Sequence, residues 1–338
     1  MTKQMRTVRY EMILRAEEPI AHFERTIGNH AIAHTEKVVG DDGEIRCIPD
    51  ISGNALRHGM RKAGVFLALD MAGLNPHGLI DDEYIERLLF NGGANLEAKA
   101  ERKKGKGPRG ARRDDWARMV DLLPPIELFG CSLTNGMEHG LVSVSRARLL
   151  CDDQPKLSDW CDAWQKESGR AFHWSGNYLQ KSQHVKMDHT VTPRGQAMLT
   201  DGARANVSAR LLANETASQK GDEIAQQENK GGMMPHTFQS IARGSVFHWT
   251  IAANLDTDLQ EDTLLSVLAA FLGNARAGGK GGTGHGRLAC LAASSFRLDR
   301  PAEATTALGG RAGDMFRAHM QERGEPLRKF LDELAGVG

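Results

Sequence analysis

The sequence predicts an α+β fold: a small antiparallel, ferredoxin-like (RRM-like) sheet with two helices on one face, interrupted by two long insertions. Three observations carry this expectation. Segments that alternate apolar and polar residues open and close the ordered part of the chain. Two segments with helical spacing lie between them. Two long stretches, one rich in Lys, Arg and Gly and the other polar and weakly periodic, separate the regular pieces.

Taken in order, Thr7 to Arg15 alternates, with Val8, Tyr10, Met12 and Leu14 on one side. Arg9, Glu11 and Arg15 fall on the other side with Ile13, the pattern of a half-buried strand. Glu17 to His34 reads as a loop. Glu36–Val39 and Glu44–Ile48 flank Gly40-Asp41-Asp42-Gly43 and predict a hairpin. Pro49 ends that strand and Ser52 is placed to cap a helix over about Gly53 to Met71. Leu56, Met60, Ala63 and Leu67 form its apolar stripe, with Arg57, Arg61 and Lys62 on the opposite, solvated face.

A short helix is expected over Asp82 to Leu89. Lys99 to Arg113 is a basic run broken by glycines and Pro108, read as a mobile insertion. Regular structure resumes at Leu122. Leu141 to Leu150 predicts one strand, and Cys151 to Lys166 turns into a short helix that packs Trp160 and Trp164. Ser168 to Gly232 is too long for a plain loop and reads as a protruding subdomain. Ser245 to Ala253 is a strand, Leu264 to Leu272 lies in a helix, and a glycine-rich loop leads into a strand over Arg287 to Leu298. Arg300 to Gly338 predicts surface-packed helix.

Charge and cysteine content bound the function. The 338 residues carry 43 Lys+Arg and 43 Asp+Glu, so the chain is not a uniform polycation, and any basic face is offset elsewhere. With 40% hydrophobic and 25% charged residues it is globular. No apolar run is long enough to predict a membrane helix, and Met1 to Arg6 lacks a signal core. The five cysteines are odd in number and contain no C-x-x-C, which argues against a zinc knuckle and for reduced thiols in a cytoplasm.

Two motifs carry chemistry. Gly278-Gly279-Lys280-Gly281-Gly282-Thr283-Gly284-His285-Gly286-Arg287 satisfies G-x-G-x-x-G formally, but it follows a helix and precedes a strand. A dinucleotide fingerprint needs the reverse order. What remains is a loop with accessible backbone N–H groups beside Lys280 and Arg287, suited to phosphate. In Ile48-Pro49-Asp50-Ile51-Ser52-Gly53-Asn54-Ala55-Leu56-Arg57, a helix N-terminus offers N–H groups to an anion, and Arg57 and Arg61 extend that site.

Taken together, these segments resemble the RAMP superfamily of CRISPR systems. The second is similar to the family's I-P-G-S-S-L-K/R-G element and the first to its C-terminal glycine loop. Leu128-Phe129-Gly130-Cys131 resembles L-F-G-S. Met234-Pro235 through Arg243-Gly244-Ser245-Val246-Phe247 resembles the V-P-x-G-T-x-F strand entry. The order and spacing of the four resemble the backbone subunits that polymerise along a guide RNA, and the size and divergent wording look most like the type IV backbone subunit.

The resemblance implies a palm over 1–74, 122–168 and 236–298, fingers over 75–121 and a thumb over 169–235, with a helical segment over 299–338. It implies a non-catalytic subunit that binds CRISPR guide RNA, stacks on copies of itself in a filament and joins other effector subunits. The guide then pairs with target nucleic acid. No cofactor, metal or membrane is implied. Carried over residue by residue, Ser52, Gly53, Asn54, Arg57 and Arg61 contact guide backbone. So do the glycine-loop residues Gly279, Lys280, Gly282, Thr283, His285 and Arg287. Lys181, Lys186 and Arg194 are assigned to RNA from charge alone.

Type III relatives cleave target with an aspartate in the loop after the first strand, and Pro19 to His34 contains none. The alternative is an endoribonuclease using histidines by acid–base chemistry. His22, His30 and His34 supply one candidate group and His184, Asp188 and His189 another; His30 with His34, or His184 with His189, is also spaced to seed a metal site. Trp174, in a polar segment, is a candidate for base stacking.

Overall fold

The computed structural model describes residues 5–40, 42–76, 79, 83–92, 113–133, 136–186, 234–297 and 313–335. Asp188, His189, Arg194 and Lys99 to Arg112 lie outside these residues. The chain divides into two compact units. The larger comprises 1–22, 34–179 and 241–338, and the smaller 23–33 and 180–240. The fold is mixed α+β with antiparallel sheets.

The larger unit is built on a seven-stranded sheet. Its strands are β1 (Arg6–Ala16), β4 (Thr35–Val39), β5 (Ile45–Ile51), β8 (Val142–Val144), β9 (Ala147–Leu149), β12 (Val246–Leu255) and β13 (Leu288–Arg297). They run in the order β13-β1-β12-β9-β5-β4, with β8 also pairing β12. β1 is central, antiparallel to β12 (Met12 opposite Trp249) and to β13 (Met12 opposite Ala293). The β4–β5 hairpin forms as expected, Val39 facing Ile45.

One face of the sheet is covered by α1 (Gly53–Met71) and α6 (Asp258–Gly273). Leu56 and Met60 of α1 and Leu264, Val267, Leu268 and Phe271 of α6 join Tyr10, Met12, Leu14, Phe247 and Trp249 in the main core. Gly64 of α1 sits so close to α6 that a Cβ there would lie 2.8 Å from Val267. Ser52 caps α1 as predicted, its hydroxyl accepting from Ala55 N–H at 3.3 Å. Thr257 and Gln260 cap α6 reciprocally, a capping box.

The other face departs from the expectation of a half-buried sheet. β1 is buried on both sides: Ile13 is fully buried, and Glu11 is only 3% exposed. The cover is α5 (Asp159–Ser168), whose Cys161, flanked by Trp160 and Trp164, packs on Ile13, Leu150 and Val246. Burial of Glu11 is tolerated because it is fully partnered. It accepts from Ser158, the α5 N-cap, at 2.6 Å, and bonds His248 at 2.9 Å and Arg9 at 3.1 Å. Burial raises the Glu11 carboxyl's pKa, but these bonds outweigh it and hold the group below its usual range.

A second core lies beside the first. It joins the far end of α1 to α2 (Glu83–Glu86), the π-helical turn Arg87–Asn91, α3 (Trp116–Leu122), α4 (Pro124–Phe129), α7 (Asp314–Gln321) and α8 (Gly324–Ala335). Regular structure is thus already present at Arg113, ahead of Leu122, because Met119 and Leu122 are needed in this core. The strand expected over Leu141 to Leu150 is broken at Ser145-Arg146. There the Ser145 N–H still donates to the Thr250 carbonyl at 3.0 Å, but the Thr250 N–H donates to the Ser145 hydroxyl, also at 3.0 Å.

In the smaller unit, part of the expected loop Glu17 to His34 is a hairpin. β2 (Phe23–Ile27) and β3 (His30–Ala33) meet at a turn containing Gly28, whose φ of 57° suits glycine. With β10 (Leu179–Lys186) and β11 (Met234–Ile241) they form a sheet of order β10-β11-β3-β2. Its β11–β3 pairing is parallel, Thr237 facing His30. The loop reading fails because the pairing partner lies about 200 residues away, beyond any local pattern.

Candidate nucleic-acid interface

Both predicted motifs lie in the larger unit, and one short segment, Pro19 to His22, fastens them together. Gly279 N–H donates to the Ala21 carbonyl at 2.7 Å and Gly286 N–H to the Pro19 carbonyl at 2.9 Å. A Cβ at Gly278 would lie 2.5 Å from the Ala21 carbonyl oxygen. The next residue, His22, accepts the Ser52 N–H on its Nε2 at 3.2 Å. The glycine loop and the α1 N-terminus therefore hang from the two sides of a four-residue hinge.

Within the loop, Gly278, Gly284 and Gly286 have positive φ, and so does Lys280 at 61°, alone among described non-glycine residues. That conformation costs a side-chain-bearing residue about 1–2 kcal/mol. Gly281 to Thr283 form one exposed 3-10 turn. Arg276, which sequence reasoning passed over, stays beneath it. Its Nη1 donates to Glu18 at 3.1 Å, to the His285 carbonyl at 3.1 Å and to the Gly281 carbonyl at 3.4 Å. Glu18 also accepts the Arg287 N–H at 3.3 Å. The loop is thus a preformed shape whose rim presents Thr283 and the exposed Arg287.

The α1 N-terminus is less open than its sequence suggests. Ser52 N–H is spent on His22, and Gly53 is required for packing: a Cβ there would lie 2.5 Å from the Val144 carbonyl oxygen. Asn54 is exposed. Behind this end, His34 Nδ1 bonds the Asp50 carboxylate, and Arg146 Nη1 holds its second oxygen at 2.9 Å. Asp50 is 1% exposed. The His22 and His34 rings are 5.0 Å apart. Burial, and then the neighbouring His34, lowers the His22 pKa below the usual imidazole value. It is held neutral, as its acceptor role requires.

Arg57 and Arg61 correct the expectation of a solvated basic face. Arg61 is 9% exposed; its Nη2 donates to the Phe129 and Gly130 carbonyls, both at 2.8 Å. Arg57 Nη2 donates to the same Phe129 carbonyl. Burial lowers both guanidinium pKa values, and Arg57 adds repulsion at Arg61.

The remaining candidates are scattered. Lys181 is an exposed residue of β10 in the smaller unit; of Lys186 only the backbone is described. His30 lies in β3 of that unit, whereas His34 belongs to the larger one. Trp174 is 59% exposed. Among the described residues no cluster of His, Cys, Asp or Glu is able to hold a metal, and no helix is long and apolar enough to cross a membrane. Burial pushes the Cys131 and Cys161 thiols up, to about 12 and about 11, so neither is a thiolate nucleophile.

No family model and no curated protein matches the chain. Among solved structures, it is similar to a chain of a Type IV-B CRISPR complex, at 16% identity over 88% of this chain and 93% of that one, with a TM-score of 0.49.

Proposed function

We propose that the chain is a non-catalytic, guide-RNA-binding backbone subunit that polymerises along CRISPR RNA and presents it to target nucleic acid, in company with other effector subunits. In this reading the larger unit contains a ferredoxin-like palm. The order β13-β1-β12-β9, with α1 and α6 as its two crossover helices, supports it. The smaller unit is the thumb. The observation that carries the reading is the shared anchor at Pro19 to His22. It brings the rigid glycine loop and the α1 N-terminus, the two features that the resemblance assigns to guide RNA and that lie 220-odd residues apart in sequence, onto one support.

Co-expression with a CRISPR array tests it. Nuclease-protected RNA of stepped lengths should purify with the protein, and its release should be steeply salt-dependent. Protein that purifies free of RNA under these conditions would sink the reading.

A second reading, an RNA-cleaving enzyme, draws on the Asp50-oriented His34 beside His22. Against it, the His22 Nε2 is engaged by Ser52 N–H, and Asp50 is shared with Arg146, which marks the group as a structural brace. Guide cleavage by purified protein that disappears in His34→Ala would favour the enzyme.

A further inference from the structure

The two motifs hang from Pro19 to His22 by bonds of different kinds. The glycine loop is held by backbone N–H groups on the Pro19 and Ala21 carbonyls, and neither bond titrates. Ser52, at the start of α1, is held by the imidazole of His22, whose Nε2 accepts its N–H at 3.2 Å. To accept there the ring must be neutral, with its single proton on Nδ1. A second proton would go onto Nε2 and point at the Ser52 N–H, donor against donor.

The surroundings offer the charged ring no compensation. The His34 ring, just before β4, lies 5.0 Å away. Asp50 of β5 is the carboxylate that attracts a charge at His22, but both its oxygens are taken. His34 Nδ1 bonds one, and Arg146, in the β8–β9 connection, holds the other at 2.9 Å. Arg146 also lies 3.8 Å from Glu36 of β4, which Arg148 of β9 shares at 3.1 Å. On the loop side, Glu18 is engaged by Arg276 at 3.1 Å and by the Arg287 N–H at 3.3 Å, and Lys280 follows the Gly279 that Ala21 holds. Burial, and then His34, lowers the His22 pKa; Arg146 works in the same direction and Asp50 against it.

Helix α1 has other fastenings. The Ser52 hydroxyl still caps it through the Ala55 N–H at 3.3 Å. Arg57 and Arg61 tie its next turns to the Phe129 and Gly130 carbonyls, at the start of the hairpin of β6 (Gly130–Leu133) and β7 (Gly136–His139). Loss of the His22 bond therefore frees one end of the helix without unfolding it.

We propose that His22 is a proton-operated latch: the neutral ring fastens Ser52 to the hinge, the protonated ring releases it, and α1 and the glycine loop stay folded in both states. The latch is closed above the ordinary imidazole value of 6.5 and opens as pH falls through the lower pKa of the folded ring. It belongs to the protein alone and does not depend on the RNA-binding reading.

Nuclear magnetic resonance on the full chain tests it, following the His22 ring nitrogens and the backbone amides from about pH 8 to about pH 5. As the ring takes up its proton, the Ser52 amide should lose about tenfold or more of its hydrogen-exchange protection, with the same midpoint. The Gly279 and Gly286 amides should keep theirs. In His22→Gln, which supplies an acceptor that cannot be protonated in this range, Ser52 should stay protected throughout. Ser52→Pro removes the N–H at a φ of −61°, which proline adopts. The His22 pKa should then rise, because the bond that favours the neutral ring is gone; a merely structural histidine would not respond.

Ser52 protection that holds while the ring titrates, or that falls equally in His22→Gln, overturns the latch. So does a His22 pKa unmoved by Ser52→Pro, and so does loss of protection at Gly279 and Gly286 in step with Ser52, which would be general unfolding. Should a variant not fold, the match between ring and amide midpoints in the unaltered chain decides alone.

Discussion

The glycine loop and the arginine pair on α1 are both basic, both assigned to RNA by sequence, and built on opposite principles. The loop fixes its backbone through Pro19, Ala21 and Arg276 and leaves its rim exposed. The arginines are fixed by their own guanidiniums, which are woven into the Phe129–Gly130 turn. In one region shape is made by the backbone and the charged Arg287 stands exposed on the rim. In the other the charged groups themselves hold the structure. A basic residue in a sequence does not reveal which of these it is; its hydrogen-bond partners do.

Substitution should separate the two regions. The largest effect is expected for Arg61→Ala, which removes the arginine donor to the Gly130 carbonyl and one of the two arginine donors to the Phe129 carbonyl, and leaves a void. It should cost about 2–4 kcal/mol of stability in urea unfolding, while Arg287→Ala on the exposed rim should stay within about 0.5 kcal/mol. Equal losses at both positions would erase the distinction.

Next in size is Gly278→Ala, where a positive φ and the Ala21 carbonyl both resist a Cβ. About 1–3 kcal/mol of stability should be lost, and the loop should detach from its anchor. Loss of loop amide protection in hydrogen exchange would report it.

On binding, Arg287→Ala and Lys280→Ala should each lower RNA affinity several-fold at moderate salt. Each should also flatten the log–log salt dependence by about one unit, uniformly across RNA sequences. A sequence-dependent loss would mean that these groups read bases.

The smallest effect concerns pH. His22 must be neutral to accept from Ser52, and its folded pKa lies below the ordinary value of about 6.5. The unfolded chain therefore binds the extra proton first. Stability should be fully present above about pH 6.5 and should decline as pH falls from there toward the folded pKa. In His22→Asn that component of the acid slope should vanish. An unchanged slope would remove His22 from the account.

Much of the fold is legible from local pattern. Helix α1 is predicted to the residue by Ser52 and by the spacing of Leu56 and Met60. The turn Gly40 to Gly43 sets the β4–β5 register. What the pattern misses is set by distant partners. Ile13 looked misplaced among Arg9, Glu11 and Arg15 until α5 covered that face. Glu11 is tolerated there only because Ser158 and His248 reach it. The β2–β3 hairpin hides in a segment without strong alternation, since its sheet is completed by β11. At the site, Lys280 and Thr283 were conspicuous in the sequence, whereas Arg276 and Glu18 were not. Their roles depend on residues more than 250 positions apart.

The sequence alone determined the α+β class, the order of the main elements, the cap of α1 and the glycine loop. Each of these is fixed by interactions within a few residues or by simple periodicity. The tertiary structure decided which face of β1 meets water, which arginines are spare and what holds the loop in shape. Those depend on burial and on hydrogen bonds across the chain, and no local pattern encodes them.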